Sequence, residues 1–209
     1  MDILQTVQIE RLETGRLEDA SIVRLEVETA RDQVDKVWWN LLNVSLATIK
    51  GEADAHWEWE WIAGRYSSSS IKECVAILSK DNYIEGALAY QFNAKSVLES
   101  SKGTVYIGWL ATAPRNREEL VNNPIYRGVG TSLLYWAIKE SYNAGLGGRI
   151  SLESLPTPKT LRFYERKGFV RTDLTQPPTG LIDYELPEAA AQAWLREEGD
   201  LEDEKKRTV

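Results

Sequence analysis

Apolar residues fall in short, separated groups along the chain, and their spacing predicts a sequence of strands and helices. Val7–Glu13 (VQIERLE) alternates apolar and polar positions, which predicts a strand. From Glu18 to about Lys50, the positions Ile22, Val23, Leu25, Val27, Val34, Val37, Trp38, Leu41 and Leu42 recur roughly at helical spacing. Asp19 can cap this stretch and Gly51 can end it, so a long helical segment is predicted. A second helix is predicted over about Asp54–Arg65, followed by a short serine loop, Ser67–Ser70.

Glu73–Leu78 (ECVAIL) and Gly86–Phe92 (GALAYQF) predict a hairpin around Lys80–Asp81–Asn82, since Asp-Asn is turn chemistry. Gly103–Ala111 predicts a third strand and Pro114–Pro124 a loop. An amphipathic helix over Gly128–Ala144, a strand over Gly148–Ser154 and a helix over Thr157–Lys167 follow. Phe169–Thr172 and Leu181–Leu186 predict two more strands, separated by Pro177, Pro178 and Gly180, and Glu188–Glu197 a last helix. Helices interrupting one mixed sheet predict an α/β (α+β) class. One domain is expected over residues 1–196, and the charge run 197–209 reads as a solvated, disordered tail.

Composition narrows the function. The 209 residues are 43% apolar and 27% charged, which excludes wholesale disorder. No apolar run reaches the roughly 18 residues that span a bilayer. The opening MDILQTVQIERLE lacks the basic and apolar regions of a secretory signal. Cys74 is the sole cysteine and His56 the sole histidine, so an intrachain disulfide, a CxxC zinc site and a His-rich metal centre are all excluded. No metal is expected, and the free thiol fits a reducing, cytoplasmic setting. The net charge is −7, and without the tail the body still carries 26 acids against 22 bases. Phosphate electrostatics therefore argue against a nucleic-acid partner.

Ile125–Leu134 (IYRGVGTSLL) follows a strand and opens a helix. Gly128 and Gly130 remove side chains where a ligand must approach the backbone, and a helix start offers unpaired N–H groups and positive potential. That combination suits a phosphate; the alternative is a tight loop with an ordinary cap. No Walker GxxxxGK[ST] is present, and the segment lies too late and lacks the third glycine of a dinucleotide fingerprint.

Three segments in order, Leu110–Pro114 (LATAP), Tyr126–Leu134 (YRGVGTSLL) and Phe163–Phe169 (FYERKGF), resemble the GCN5-related N-acetyltransferase (GNAT) superfamily over about residues 73–186. The resemblance implies a mixed, mostly antiparallel central sheet with helices on both faces. It implies that Arg127, Gly128, Val129, Gly130 and Thr131 hold the pyrophosphate of acetyl-CoA or a longer acyl-CoA. The strand backbone at Leu110, Ala111 and Thr112 then pairs with the pantetheine arm, and Tyr164 is the general acid. The chain departs from the family at three places. Ile125 stands where Gln or Arg is usual, although Arg127 can supply the charge. An insertion, Arg115–Ile125, separates strand and loop; it reads as a solvated surface loop, or as a lid with phosphate contacts through Arg115 and Arg117. Thr157 replaces an asparagine often found seven residues before the tyrosine.

The segments His56–Trp59, Leu110–Leu120, Tyr126–Thr131 and Gln192–Leu195 resemble a subgroup, some of whose members attach fatty acyl groups to lysine or ornithine side chains of ribosomal peptides. Within the family the base often sits two residues before the leucine, which here is Gly108. Glu153, His56, Glu58 and Glu60 remain as candidate bases, as does a water relay. Trp38, Trp39, Trp57, Trp59 and Trp61 read as core or as an acyl or substrate groove, with Trp57 and Trp61 on one helical face. Trp109 sits on the strand before the loop and can face that channel.

Three activities follow as expectations. The first is direct acyl transfer from a CoA thioester to an amine on a small molecule or peptide. The second is a peptide-lipidating maturase. The third is a non-catalytic acyl-CoA-binding module. A homodimer through the C-terminal strands and helix is compatible with all three.

Overall fold

The computed structural model describes residues 2–42, 45–176 and 180–197. The expected tail beyond Glu197 and the Pro177–Pro178 break lie outside the described residues. The strands are β1 (Ile3–Arg11), β2 (Arg16–Arg24), β3 (Lys72–Ser79), β4 (Ile84–Lys95), β5 (Gly103–Thr112), β6 (Tyr126–Arg127), β7 (Ile150–Ser154), β8 (Val170–Gln176) and β9 (Leu181–Leu186). The helices are α1 (Val27–Thr29), which widens into π-type turns over Ala30–Asp35, then α2 (Leu46–Gly51), α3 (Trp59–Ser67), α4 (Val129–Asn143), α5 (Pro158–Arg166) and α6 (Glu188–Glu197). No helix of the described residues is long and apolar enough to cross a membrane. The class is mixed α/β with a mostly antiparallel sheet, as the sequence predicts.

The N-terminal quarter differs from expectation. Arg16–Arg24 is a strand, not the start of a long helix, and hairpins onto β1 with Ile9 opposite Glu18 and Arg11 opposite Arg16. Its other edge pairs antiparallel with β3, from Ala20↔Ser79 to Arg24↔Val75. The adjacent pair Ile22 and Val23 is fully buried, one side chain on each face of the sheet. A strand covered on both faces shows consecutive apolar residues, and these also match helical spacing. Asp19, expected as a helix cap, lies mid-strand opposite Gln8.

The second predicted helix begins five residues later than its pattern indicates. Asp54–Trp57 is a turn, closed by the Trp57 N–H donating to the Asp54 carbonyl at 3.1 Å. In α3 the buried residues are Trp59, Ile62, Ala63 and Tyr66, a stripe at i, i+3, i+4 and i+7. The predicted shared face of Trp57 and Trp61 does not form, because Trp57 precedes the helix and Trp61 is exposed.

The chain divides into two compact units: Met1–Tyr90 with Trp109–Leu133, and Gln91–Gly108 with Leu134–Val209. In the first, the strand order is β6-β1-β2-β3-β4-β5. Its core joins Val23, Leu25, Val34, Trp38, Trp59, Ile62 and Ile84. In the second, the order is β4-β5-β7-β9-β8, with β7 parallel to β5 and antiparallel to β9. There the buried carboxylate of Glu185 accepts from the Val97 amide at 2.8 Å and from the Ser96 hydroxyl.

Candidate active site

The glycine loop is held from its N-terminal side by the added hairpin. Glu10 and Arg11 pair with Arg127 and Tyr126, and the Leu12 amide donates to the Ile125 carbonyl at 2.9 Å. The Arg11 guanidinium lies 5.1 Å over the Tyr126 ring and donates to its hydroxyl at 2.9 Å, while that hydroxyl donates to Glu18 at 3.3 Å. Burial pushes the Tyr126 phenol up to about 12, so it stays a neutral donor here. Arg127 itself is exposed, paired with Glu10 at 3.3 Å.

Immediately after this anchor the backbone turns through Gly128 at φ +90°, and a Cβ there would meet nothing within 4 Å. The first turn of α4 closes when Ser132 donates to the Gly128 carbonyl at 2.9 Å. The amides of Val129, Gly130 and Thr131 thus precede the first intrahelical bond, as helix starts require. Val129 is buried, whereas Gly130 and Thr131 are half-buried. The seat for Val129 is Gly86: a Cβ there would lie 2.6 Å from Val129 Cγ1, 3.0 Å from Leu133 Cδ1 and 3.1 Å from the Ala111 carbonyl. Gly86→Ala is expected to cost about 1–3 kcal/mol by overpacking. Urea unfolding measures it, and a loss below about 0.5 kcal/mol would show that α4 moves aside freely.

The insertion is neither a solvated loop at its start nor a source of free phosphate ligands. Arg115 pairs with the fully buried Glu85 and stacks 4.2 Å over the Tyr83 ring. Asn116 donates to the same carboxylate at 3.0 Å and accepts from the Tyr126 amide at 3.0 Å. Arg117 pairs with Asp54, reaches Glu52 at 3.2 Å, and donates to the Thr112 carbonyl at 2.7 and 3.1 Å. Both guanidiniums are occupied internally. The same contacts occupy the Thr112 carbonyl, one of the three expected pantetheine partners, while Leu110 and Ala111 precede it on β5. Among the described residues the register of β5 with β7 runs only from Val105 to Ile107.

In the second unit, Tyr164 lies on α5 and is 8% exposed. Its ring packs against Phe163, Phe169 and Tyr184 at centroid distances of 5.2, 5.3 and 6.0 Å. Among the described residues its hydroxyl has no hydrogen-bond partner. Burial raises its pKa above the ordinary phenol value, so it is protonated at neutral pH. Thr157, in the place of the usual asparagine, caps α5 by accepting from the Thr160 amide at 3.2 Å. Glu153 sits on β7 opposite Asp183. Although the residue is largely exposed, partial burial of its carboxyl, and then the charge of Asp183, raise its pKa.

His56 is in the first unit, exposed, and is one of the residues lining a cavity of about 700 Å³. Trp38, Trp39, Trp57, Trp59 and Trp61 all line this cavity, with Asp35, Asp54, Glu58 and Glu60. Trp57 links the rings edge-on, 6.2 Å from Trp59 and 4.9 Å from Trp109. Asp35, which the sequence reading missed, accepts from the Trp59 and Glu60 amides, both at 2.8 Å, and so caps α3 from another element. The π-type turns over Ala30–Asp35 bring it there, and no local spacing signals that. Cys74 is buried on β3 and burial raises its thiol pKa, so it is not a nucleophile. Among the described residues no three His, Cys, Asp or Glu side chains are placed so that they could hold a metal ion together.

No family model matches the chain, and no curated protein sequence matches it. Solved structures do. A GnaT-family acetyltransferase from Bordetella pertussis superposes with a TM-score of 0.57 over 90% of this chain and 100% of that one, at 13% identity. A structure described as a bacterial toxin gives 0.57 over 85% and 95%, also at 13% identity. A spermidine N-acetyltransferase chimera of the Vibrio cholerae protein and hSSAT gives 0.53 over 83% and 98%, at 14% identity. The fold is that of the GNAT acetyltransferases. At such identities the likeness is one of architecture, and activity has to be argued from the site.

Proposed function

We propose that this chain is an acyl-CoA-dependent N-acyltransferase that moves an acyl group directly from the CoA thioester to an amine. One observation carries the reading: the exposed turn at Gly128, φ +90°, leaves the amides of Val129, Gly130 and Thr131 ahead of the first intrahelical bond of α4, in the loop that the sequence resemblance assigns to the CoA pyrophosphate. Arg127 adds a cation beside them, and the Leu110 and Ala111 backbone supports the pantetheine arm. The amine nitrogen attacks the thioester carbonyl carbon, the C–S bond breaks, and the thiolate sulfur takes a proton from the Tyr164 hydroxyl. The nitrogen loses its proton to Glu153, directly or through water.

Thermal unfolding with CoA, acetyl-CoA, octanoyl-CoA and palmitoyl-CoA tests the site. A ligand at a hundredfold excess over its Kd adds about 2.7 kcal/mol. Stabilisation by all four confirms a CoA site. Stabilisation that grows with chain length points to the peptide-lipidating reading, and binding without transfer to any amine points to a binding module. No shift with any of the four overturns the proposal.

The Glu153 role predicts a pH profile. Partial burial, and then the charge of Asp183, raise its carboxyl pKa above the ordinary glutamate value, so falling pH protonates it early and removes the base. Activity should rise with pH along an acid limb, and that limb should vanish in Glu153→Gln. A limb unchanged in the variant assigns the proton to another acceptor.

A further inference from the structure

The tryptophan cavity has a charge that an acyl groove would not have. Its described lining holds four carboxylic acids and no lysine or arginine. An alkyl chain bound there would strip water from those carboxylates and return nothing for it, which is costly. Two of the acids have cationic partners outside the lining: Asp54 is paired with Arg117, and Glu60 lies 3.8 Å from Arg31. Among the described residues the other two do not. Asp35 faces backbone amides, and Glu58, at the start of α3, has no partner among the described residues.

The rings supply the second half of the chemistry. Trp38 and Trp59 are buried, Trp39 and Trp57 half-buried, and Trp61 exposed, so indole surface lines the cavity at several depths. Tryptophan has the strongest cation-binding ring face among side chains. Two of these rings already attract cations of the chain itself: the Arg117 guanidinium sits 5.6 Å over Trp39 and the Arg65 guanidinium 5.4 Å over Trp61. The protein thus shows on its own side chains the contact that a ligand would make.

We propose that the cavity between α3 and the preceding turns binds an organic ammonium ion, with an alkyl part against the tryptophans and its charge toward Glu58 and Asp35. A cavity of about 700 Å³ accommodates a polyamine or a lysine-like side chain. The identification of that cation as the acyl acceptor rests on the N-acyltransferase reading; the cavity's preference for cations does not.

Isothermal titration of CoA-free protein tests it with three probes: 1,4-diaminobutane, uncharged 1,4-butanediol of the same reach, and octanoate as a longer apolar anion. The diamine should bind at least about tenfold more tightly than the diol, and octanoate should not bind. Glu58→Gln should weaken the diamine about three- to tenfold, as should Trp57→Leu, with circular dichroism confirming that both variants fold. Equal binding of diol and diamine, tighter binding of octanoate, or no diamine binding by folded protein overturns the proposal. A parallel titration with CoA separates the two claims. Diamine binding without CoA binding defeats the acyltransferase reading alone, and CoA binding without diamine binding defeats this one alone.

Discussion

Arg115→Ala should lower the unfolding free energy by about 3–5 kcal/mol, the cost of leaving a buried charge without its partner. Glu85 is fully buried and its side chain accepts from Arg115 and Asn116 only, as far as the described residues show. Asn116 brings a dipole but no charge, so it cannot replace the guanidinium. The size of the effect is checked by urea unfolding of the single variant, and its cause by a double-mutant cycle with Glu85→Gln. Were the penalty due to lost packing of Arg115 on Tyr83, adding Glu85→Gln would not relieve it. If the penalty comes from the orphaned carboxylate, the double variant should recover at least about 1 kcal/mol over Arg115→Ala. A single-variant loss under about 1 kcal/mol would mean that water reaches Glu85.

The same pair explains how much of the molecule the sequence made legible. Where a segment's pattern is local, the prediction holds. The strands of β3, β5, β7 and β9, the helices α4, α5 and α6, and the glycine turn at 128 all lie where spacing and turn chemistry place them. Where a segment is shaped by distant partners, the pattern misleads. β2 pairs on both edges and is covered on both faces at its end, at Ile22 and Val23, and these adjacent apolar residues also match helical spacing. Arg115 and Arg117 look like free cations in a polar insertion, yet their partners are 30 and 63 residues away. The five N-terminal tryptophans were visible at once, but not that four carboxylates share their cavity, because Asp35 and Asp54 join it only through the turns on either side. Tyr164 is a different case: the sequence suggested its role through a resemblance, and the structure contributes a buried ring whose hydroxyl no described residue uses.

Tyr164→Phe should lower kcat by about 10²-fold or more and leave the Kd for CoA within about twofold, since the substitution removes only a proton donor. The fold should tolerate it. The ring contacts to Phe163, Phe169 and Tyr184 do not involve the hydroxyl, and no hydrogen bond to a described residue is lost. A tyrosine hydroxyl kept for stability would show the opposite pattern, a drop in stability of about 1 kcal/mol with turnover intact. The pH dependence separates the two further. With the phenol pKa raised by burial, the acid stays protonated through the alkaline range, so the wild-type rate should not fall as pH rises from 7 through the ordinary phenol value of 10. In the variant the thiolate leaves unprotonated or takes its proton from solvent, so the rate should gain a dependence on thiol leaving-group pKa that the wild type lacks. Comparing acyl donors with thiols of graded acidity reads this directly. Equal sensitivity in both proteins, or an unchanged kcat, would remove Tyr164 from the reaction and leave the departing sulfur to be protonated by solvent or by another group.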